Sequence, residues 1–363
     1  MSSTLSIGLL ITILMIASLP LMQKVLADSV LETIPVGAFP QALIFNPSNN
    51  YIYVANRDSG TVSVIDSSNN TVISNATVGT SPQALIFNPS NNYIYVANRD
   101  SGTVSVIDSS NNTLIKNITV GSFPESMIFN PSNNYTYIAN VISSTVSVID
   151  SNSNTIVKEI EVGVDPVAIE INPSNNNIYV SNRGSGSISV INGTDNLFFD
   201  DISVGSSPIA LEFNPSNNYI YVANRDSGTV TVVDTTANKV VSDVIVNNEP
   251  TALEFNAFNS DVYVANRGSR TVSVIDSNTS KLVENVVVGT EPVALLFNPS
   301  NNNMYTANVV SNSISVIDSR NNTVAAVIGV KGLPIALEFN PFNDGVYVAG
   351  TLTGTEGLVS VIG

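Results

Sequence analysis

The sequence predicts an all-β fold, an eight-bladed β-propeller of 42-residue, four-stranded blades, with seven blades as the alternative. Three observations favour this fold. One repeat fills the chain from residue 29 to the end, each repeat contains four short β-forming segments, and the two chain ends together complete one repeat. A fixed period of this length is typical of propellers and solenoids.

Columns of identical residues define the repeat. Proline, asparagine and tyrosine columns all recur at steps of 42 residues. The prolines are Pro40, Pro82, Pro124, Pro166, Pro208, Pro250, Pro292 and Pro334. The asparagines are Asn46, Asn88, Asn130, Asn172, Asn214, Asn256, Asn298 and Asn340. The tyrosines are Tyr53, Tyr95, Tyr137, Tyr179, Tyr221, Tyr263, Tyr305 and Tyr347. Eight matches in each column predict eight blades.

Each repeat divides into four strands, as the first repeat illustrates. Gln41–Phe45 is short and apolar, and Asn46–Asn50 consists of turn-forming residues. Tyr51–Asn56 and Thr61–Asp66 are rich in β-formers, and Thr71–Val78 is the most polar segment. No segment has a helical apolar period. The first strand is therefore expected to line a central channel and the fourth to form the rim.

The chain ends predict how the ring closes. The last repeat stops at Ile362-Gly363, after its third strand, whereas Ser29–Gly37 aligns with the fourth strand of the other repeats. The N-terminal strand is therefore expected to complete the last blade, which leaves no open sheet edge at the seam. An insertion near Thr351–Gly357 keeps the seven-bladed alternative open. Residues 28–363 are interpreted as one propeller domain of eight repeats.

The first 27 residues differ from the rest. Ser6–Leu21 is almost continuously apolar, and Val25-Leu26-Ala27 resembles a small-residue cleavage site before Asp28. This pattern predicts a signal peptide over residues 1–27, with an uncleaved N-terminal anchor as the alternative. The mature protein is accordingly expected to be extracellular or at the cell surface, with no membrane contact beyond the N-terminal segment.

Composition excludes several functions. The 363 residues contain no Cys and no His, so disulfides, thiol chemistry, His-based acid–base catalysis and His-ligated haem are excluded. There is no Trp either. The net charge of −16, with only 13 Lys and Arg, argues against nucleic-acid binding.

The repeat resembles a known family. Tyr53-Val-Ala-Asn56, Thr61-Val-Ser-Val-Ile-Asp66 and Val78-Gly-x-x-Pro82 look like the YVTN β-propeller repeat, and the resemblance covers residues 29–363. The chain departs from that pattern by having Ala in the third position of the motif in most blades, and Gly350 in place of the Asn in the last. The resemblance implies an archaeal or bacterial surface or surface-layer protein.

Two sets of turns are expected to share one face of the ring, which is commonly the ligand face of a propeller. The turns after the second strands carry Arg57, Arg99, Arg183, Arg225 and Arg267. These arginines could bind carboxylate, sulfate or a sugar acid, or pair with acids in their own turns. The turns between blades carry Phe39, Phe123, Asp165, Glu249 and Glu291. The two Phe side chains could anchor a partner or fill gaps between blades.

One column of the innermost strands carries carboxylates. Its members are Glu170, Glu212, Glu254 and Glu338, whereas Ile44, Ile86, Ile128 and Leu296 occupy it elsewhere. Buried carboxylates are costly unless they are paired or bind a metal. The column is therefore expected to face a water-filled channel, where Glu is tolerated, with a calcium site as the alternative. No cofactor is expected apart from this alternative.

Eight Asn-x-Ser/Thr sequons are candidate glycosylation sites, most of them near the rim. They are Asn69, Asn75, Asn111, Asn117, Asn134, Asn192, Asn278 and Asn321. In a chain this rich in Asn, Ser and Thr, several sequons would arise by chance.

Three functions remain open on sequence grounds. The preferred hypothesis is a non-enzymatic module, a monomer that binds an envelope protein or glycan through its variable loop face. The first alternative is a small-anion sensor that uses the arginines. The second is a metal- or quinone-dependent enzyme of lactonase or dehydrogenase type, against which the missing His and Trp count. Fold alone does not decide among them.

Overall fold

The computed structural model describes residues 28–352 and 356–363. The predicted signal peptide, residues 1–27, therefore lies outside the described residues, as does part of the insertion in the last repeat. The described residues form eight antiparallel sheets of four strands each, which confirms the eight-bladed propeller and excludes the seven-bladed alternative. Within these two ranges, no helix is long and apolar enough to span a membrane.

The N-terminal strand and the first four blades contain strands β1 to β17. These are β1 (Val30–Val36), β2 (Pro40–Asn46), β3 (Tyr51–Asn56), β4 (Thr61–Asp66), β5 (Thr71–Thr77), β6 (Pro82–Asn88), β7 (Tyr93–Asn98), β8 (Thr103–Asp108), β9 (Thr113–Thr119), β10 (Pro124–Asn130), β11 (Tyr135–Asn140), β12 (Thr145–Asp150), β13 (Thr155–Glu161), β14 (Pro166–Asn172), β15 (Asn177–Asn182), β16 (Ser187–Asn192) and β17 (Leu197–Ser203).

The last four blades contain strands β18 to β32. These are β18 (Pro208–Asn214), β19 (Tyr219–Asn224), β20 (Thr229–Asp234), β21 (Lys239–Ile245), β22 (Pro250–Phe255), β23 (Val262–Asn266), β24 (Thr271–Asp276), β25 (Lys281–Val287), β26 (Pro292–Asn298), β27 (Asn303–Asn308), β28 (Ser313–Asp318), β29 (Thr323–Gly329), β30 (Leu333–Asn340), β31 (Gly345–Thr351) and β32 (Gly357–Ile362). Blade 1 is β2–β5, and the blades follow in chain order to blade 8, which is β30–β32 with β1.

Asparagine ends the first and third turns of most blades. Asn50 ends the first turn of blade 1 at φ 62°, and Asn70 ends the third at φ 56°. Asn tolerates this left-handed region better than other non-glycine residues do. The buried Asn46 also accepts a hydrogen bond through Oδ1 from Ser48 N, at 2.8 Å. The high Asn content of the chain is thereby explained by turn geometry.

The ring closes by strand exchange, as the chain ends predict. Strand β1 pairs with β32 in an antiparallel ladder that includes Thr33 opposite Ser360. The last blade therefore has the order β1-β32-β31-β30, with the N-terminal strand on the rim. Ser29 and Gly363 exchange backbone hydrogen bonds of 3.3 Å beside this ladder.

Neighbouring blades are joined by buried tyrosines. The side chain of Tyr53 is fully buried between blades 1 and 2, and its hydroxyl donates to Asn112 Oδ1 at 2.7 Å. Asn49 of the first turn donates through Nδ2 to the Tyr53 hydroxyl at 3.1 Å and to Ser109 O, also of blade 2, at 3.0 Å. A buried hydroxyl with partners on two blades fixes their relative position as well as removing apolar surface from water.

The seam reproduces this joint with a different residue. The Tyr305 hydroxyl of blade 7 does not donate to an Asn side chain, as the Tyr53 hydroxyl does to Asn112. Asp28 takes that place instead, and its Oδ2 accepts a hydrogen bond from the Tyr305 hydroxyl. Burial and this carboxylate raise the pKa of Tyr305 above its usual value. Asp28 thus completes the interface between blades 7 and 8.

We expect Asp28→Ala to lower the free energy of unfolding by about 1–3 kcal/mol, because the mostly buried Tyr305 hydroxyl loses its acceptor. Asp28→Asn should lower it less, since an amide oxygen occupies the equivalent place in other blades. Chemical denaturation of residues 28–363 followed by far-UV circular dichroism measures both. Equal stability of the Ala variant and the wild type would contradict this account of the seam.

Candidate functional site

The two sets of turns that were expected to share a face do so. Arg57 N donates to Phe39 O at 2.9 Å, and Asp58 N donates to Ala38 O at 3.1 Å. The turn after the second strand is thereby attached to the loop that enters the innermost strand. The same contact recurs at Arg99 N and Ser81 O. The Arg-bearing turns therefore surround the mouth of the central channel.

All five predicted arginines have carboxylate partners. The pairs are Arg57–Asp58 at 2.9 Å, Arg99–Glu125 at 3.1 Å, Arg183–Asp165 at 3.0 Å, Arg225–Asp226 at 2.8 Å and Arg267–Glu291 at 2.8 Å. Exposed pairs such as these add little stability. Arg57, Arg99 and Arg225 use only Nε in these contacts, so their terminal nitrogens keep donors for an anion. Glu249 lines a cleft beside Arg225.

The two predicted phenylalanines support arginines. The Arg57 guanidinium carbon lies 3.8 Å from the centre of the Phe39 ring, and that of Arg99 lies 4.8 Å from the centre of the Phe123 ring. Both Phe residues adopt left-handed backbone angles, with φ of 55° and 60°. Such angles are uncommon for bulky side chains and are tolerated where the surroundings impose them. The rings are half-buried platforms that orient cations.

The sequence analysis missed a second polar group at the mouth. The residue after each repeat proline forms a β-bulge in the innermost strand, and it is Gln41, Gln83 and Glu125 in blades 1 to 3. Gln83 Nε2 donates to Glu125 Oε1 at 3.4 Å. Bulges often occur beside active sites, where they redirect a side chain. The signal was present in the sequence, because this column is apolar or Thr in blades 4 to 8.

The pKa of Glu125 is subject to two opposing effects, burial and nearby cations. Burial raises the pKa of this carboxyl above its ordinary value, whereas the positive charges of Arg99 and Arg183 oppose the shift. Arg99 is close enough to form an ion pair, with Nε 3.1 Å from Oε2 of Glu125. The carboxyl is therefore held at the mouth by a cation on one side and an amide on the other.

The glutamate column lies deeper, about 10 Å below the bulge by the rise of three strand residues. Glu212 Oε1 accepts from Phe255 N at 3.0 Å, and Glu254 Oε1 accepts from Phe297 N at 3.2 Å. Each of these contacts joins a carboxyl to the innermost strand of the next blade, which caps an otherwise unpaired backbone donor.

The other two glutamates of the column, Glu338 and Glu170, also accept a backbone hydrogen bond. Glu338 reaches across the seam to Phe45 N at 3.0 Å. Glu170 accepts from the neighbouring Ile171 N of its own strand at 2.8 Å. Each of the four carboxyls thus has one oxygen oriented by a backbone N–H.

Burial raises the pKa values of all four carboxyls. Burial raises the pKa of Glu170, Glu254 and Glu338 to about 7. The pKa of Glu212 is raised well above its ordinary value, first by burial and then by the negative charges of Glu254 and Glu170. Like charges this close cannot all ionise together, so protonated and ionised carboxyls coexist at neutral pH.

Part of the channel wall is apolar. Ile44, Ile86 and Ile128 occupy the same column in blades 1 to 3, directly below the polar bulges. In a ring of eight blades, Ile44 and Ile86 lie opposite Glu212 and Glu254, whereas Glu170 of blade 4 lies opposite Glu338 of blade 8. Within residues 28–352 and 356–363, no group of three or more acidic side chains is close enough to hold a metal ion, so the calcium prediction receives no support.

The sequons differ in accessibility. Six are exposed on the rim or its turns, at Asn69, Asn75, Asn111, Asn117, Asn278 and Asn321. Asn134 and Asn192 are half-buried. Asn134 is further constrained, because its Nδ2 donates to Asn152 Oδ1 at 2.7 Å. The first six therefore remain the predicted glycosylation sites.

Two family models match parts of the chain. A model described as lactonase, 7-bladed beta-propeller, matches residues 115–255, and one described as cytochrome D1 heme domain matches residues 45–173. Each match covers less than half of the chain, and both confirm a propeller without confirming the YVTN surface family. No curated protein matches the chain.

Solved structures resemble the propeller at low identity. Kuenenia stuttgartiensis hydrazine synthase superposes with a TM-score of 0.63 at 22% identity, covering 78% of this chain and 96% of that one. Dihydro-heme d1 dehydrogenase NirN in complex with DHE superposes with a TM-score of 0.74 at 14% identity, covering 87% of this chain and 73% of that one. At these identities the likeness establishes the fold alone.

These comparisons correct three predictions. The preferred hypothesis of a non-enzymatic surface module is wrong, as is the expectation that the chain is not an enzyme, because the matching models and structures are of lactonase and heme d1 types. The expectation of no cofactor beyond calcium is wrong as well, because the cytochrome D1 model indicates a haem-type ligand. Repeat uniformity and the missing His had favoured the non-enzymatic hypothesis.

The residues present do not fit an axially ligated haem. The sequence has no His and no Cys, which are the common ligands of haem iron. Met127 and Met304 are buried in clusters between blades, away from the channel. The buried tyrosines hold their hydroxyls in contacts between blades, as Tyr53 and Tyr95 do.

We expect stability to fall as pH rises from about 5 to 8. A carboxyl whose pKa is about 7 when folded and near 4.5 when unfolded stabilises the fold below 4.5 and loses that contribution as pH rises through 7. Each such group contributes roughly 1–3 kcal/mol.

Glu338→Gln tests this pH dependence, because an amide does not titrate. Its unfolding midpoint should fall less between pH 5 and pH 8 than that of the wild type. The rim variant Glu284→Gln serves as the matched control and should follow the wild type. Parallel pH profiles for all three proteins would show that Glu338 is not the source.

Proposed function

We propose that the protein is a hydrolase that opens a small lactone within its central channel. The observation that carries this proposal is the set of three carboxyls on consecutive inner strands, Glu170, Glu212 and Glu254, whose pKa values are raised to about 7 or well above the ordinary value. Such groups can both take and give a proton at neutral pH. The partial match to a lactonase model supports the proposal, because residues 115–255 include all three.

The coupled carboxyls suggest distinct roles. Glu212 keeps its proton to higher pH, because it lies between two other acids, and acts as the general acid. An ionised Glu170 or Glu254 acts as the general base. Both neighbours are in reach of the same substrate because their strands are adjacent in the ring.

The reaction needs only water and the lactone. The base removes a proton from water while the water oxygen forms a bond to the lactone carbonyl carbon. The tetrahedral intermediate then collapses, the bond from carbonyl carbon to ring oxygen breaks, and Glu212 protonates that oxygen. The product is a hydroxy acid, and a proton exchange with solvent restores the two carboxyls.

The mouth and the wall suggest how the substrate is held. The free terminal nitrogens of Arg57, Arg99 and Arg225 can bind a carboxylate or phosphate on the substrate. The aliphatic wall at Ile44 and Ile86 faces the carboxyls and lowers the local polarity, which favours proton transfer over hydration of the acids.

We also infer that the enzyme works outside the cytoplasm. The apolar segment and the small residues before Asp28 support export, and Asp28 itself joins the seam through Tyr305. Display at the cell surface, membership of the YVTN family and glycans on the rim are finer proposals. Residue-specific mass spectrometry of the natively expressed protein would detect glycans and the processed N-terminus.

Glu212→Gln should lower kcat for lactone opening by about 10²–10⁴-fold, because the general acid is lost. The assay is pH-stat titration of the acid released from δ- and γ-lactones that carry a carboxylate or a phosphate. Glu284→Gln, a rim carboxylate on β25, is the matched control and should retain full activity. Turnover by the wild type that Glu212→Gln leaves unchanged would overturn the assignment.

The pH profile tests the base separately. The value of kcat/KM should rise with pH up to about 7, as Glu170 and Glu254 ionise, and fall at higher pH as Glu212 loses its proton. Glu170→Gln or Glu254→Gln should remove the ascending limb. A profile that stays flat from pH 5 to pH 9 would contradict carboxyl catalysis.

A further inference from the structure

The rim strand of blade 4 differs from every other rim strand. Strand β17 begins with Leu197, Phe198 and Phe199, whose exposed fractions are 52%, 49% and 62%. The same three positions of blade 1 hold Thr71, Val72 and Ile73. Three consecutive large apolar side chains on a solvated strand are unusual and often mark an interaction surface.

These side chains border a groove between two rims. The groove has a volume of about 600 Å³ and runs between β13 of blade 3 and β17 of blade 4. Its walls include Ile160, Val162, Leu197 and Phe198. Phe199 lies at a β-bulge, between the pairs Val190–Asp200 and Ile191–Phe198, and widens the apolar edge.

The groove offers main-chain hydrogen bonds as well as apolar contacts. Strand β17 is outermost in its sheet, so its outer edge pairs with no other strand in the described part of the chain. An edge of seven residues extends for about 23 Å and can pair with an added strand. A groove of this shape fits an extended segment better than a helix.

The charges that line the groove indicate what kind of polypeptide segment can bind there. Glu159, Glu161 and Asp201 line the groove, and Lys158 is the one cation among its lining residues. Asp200 adjoins it on β17. A second copy of this chain is disfavoured as the occupant, because the net charge of −16 repels a like molecule.

We propose that the groove between β13 and β17 is a docking site for an extended, basic polypeptide segment in which lysine or arginine alternates with apolar residues. The segment adds as a strand to the edge of β17. Because side chains alternate between the two faces of a strand, its cations pair with Glu159 and Glu161 on the groove side, where their aliphatic stems pack on Phe198, and its apolar side chains contact Leu197 on the other face. The site lies on the rim, away from the channel, so it acts independently of catalysis.

A labelled seven-residue peptide of alternating Lys and Val tests the proposal by fluorescence anisotropy. The wild type should bind it, binding should weaken with added salt, and the Glu-Val peptide should not bind. Phe198→Ser should weaken binding about tenfold or more, because an apolar anchor is lost. Val240→Ser, at the same position of β21 in blade 5, is the matched control and should bind as the wild type does.

Three results would overturn the proposal. They are no binding of the Lys-Val peptide to the wild type, equal loss of binding in the Phe198 and Val240 variants, and concentration-dependent dimers of the wild type that Phe198→Ser abolishes. The last result would assign the groove to a second copy of the chain. Glu161→Gln should reduce the salt dependence of binding, and an unchanged salt dependence would remove the electrostatic part of the argument.

Discussion

The structure depends on one recurring contact, the buried tyrosine that reaches from one blade to the next. Sheets packed face to face could slide, because apolar contacts are not directional. A buried hydroxyl must find its partner, and Tyr53 finds Asn112 only when adjacent blades are in one position. The contact recurs at seven of the eight blade interfaces, with Asp28 as the acceptor at the seam, and it thereby constrains how neighbouring blades sit against each other.

Because the scaffold of every blade is nearly the same, the residues that differ between blades indicate where a binding site can lie. The scaffold columns are nearly invariant within the chain, whereas the two channel columns distinguish blades 1 to 3 from blades 4 to 8. Blades 1 to 3 carry Gln or Glu at the bulge and Ile below, as Gln41 and Ile44 do. The other blades have an apolar or Thr residue at the bulge, and most of them have Glu below. A symmetric fold thereby contains an asymmetric channel, which a site needs to hold one substrate in one orientation.

Burial, and for Glu212 also the neighbouring acids, raises the pKa values of the channel carboxyls. A single Glu on a solvated strand would ionise near pH 4.5, whereas Glu212 lies among other acids in a partly dehydrated channel. The partial lactonase match agrees with hydrolysis by such groups. The cytochrome D1 match is harder to reconcile, because the chain lacks His and Cys as iron ligands. Both matches cover parts of the propeller. Because the chain has channel carboxyls but no His and no Cys, its side chains favour the chemistry that carboxyls can perform.

The sequence alone determined the number of blades, the strand pattern and the closing strand, because these follow from local propensity and from a period repeated eight times. It also placed the arginines and the glutamate column on their correct elements. Only the tertiary structure decided that Glu170 and Glu254 lie close enough to raise the pKa of Glu212, and that Glu125 lies between Arg99 and Gln83. The three glutamates are spaced 42 positions apart, and the placement of the Glu125 side chain depends on a bulge. The distances between these side chains, and their removal from water, arise only when the ring is closed.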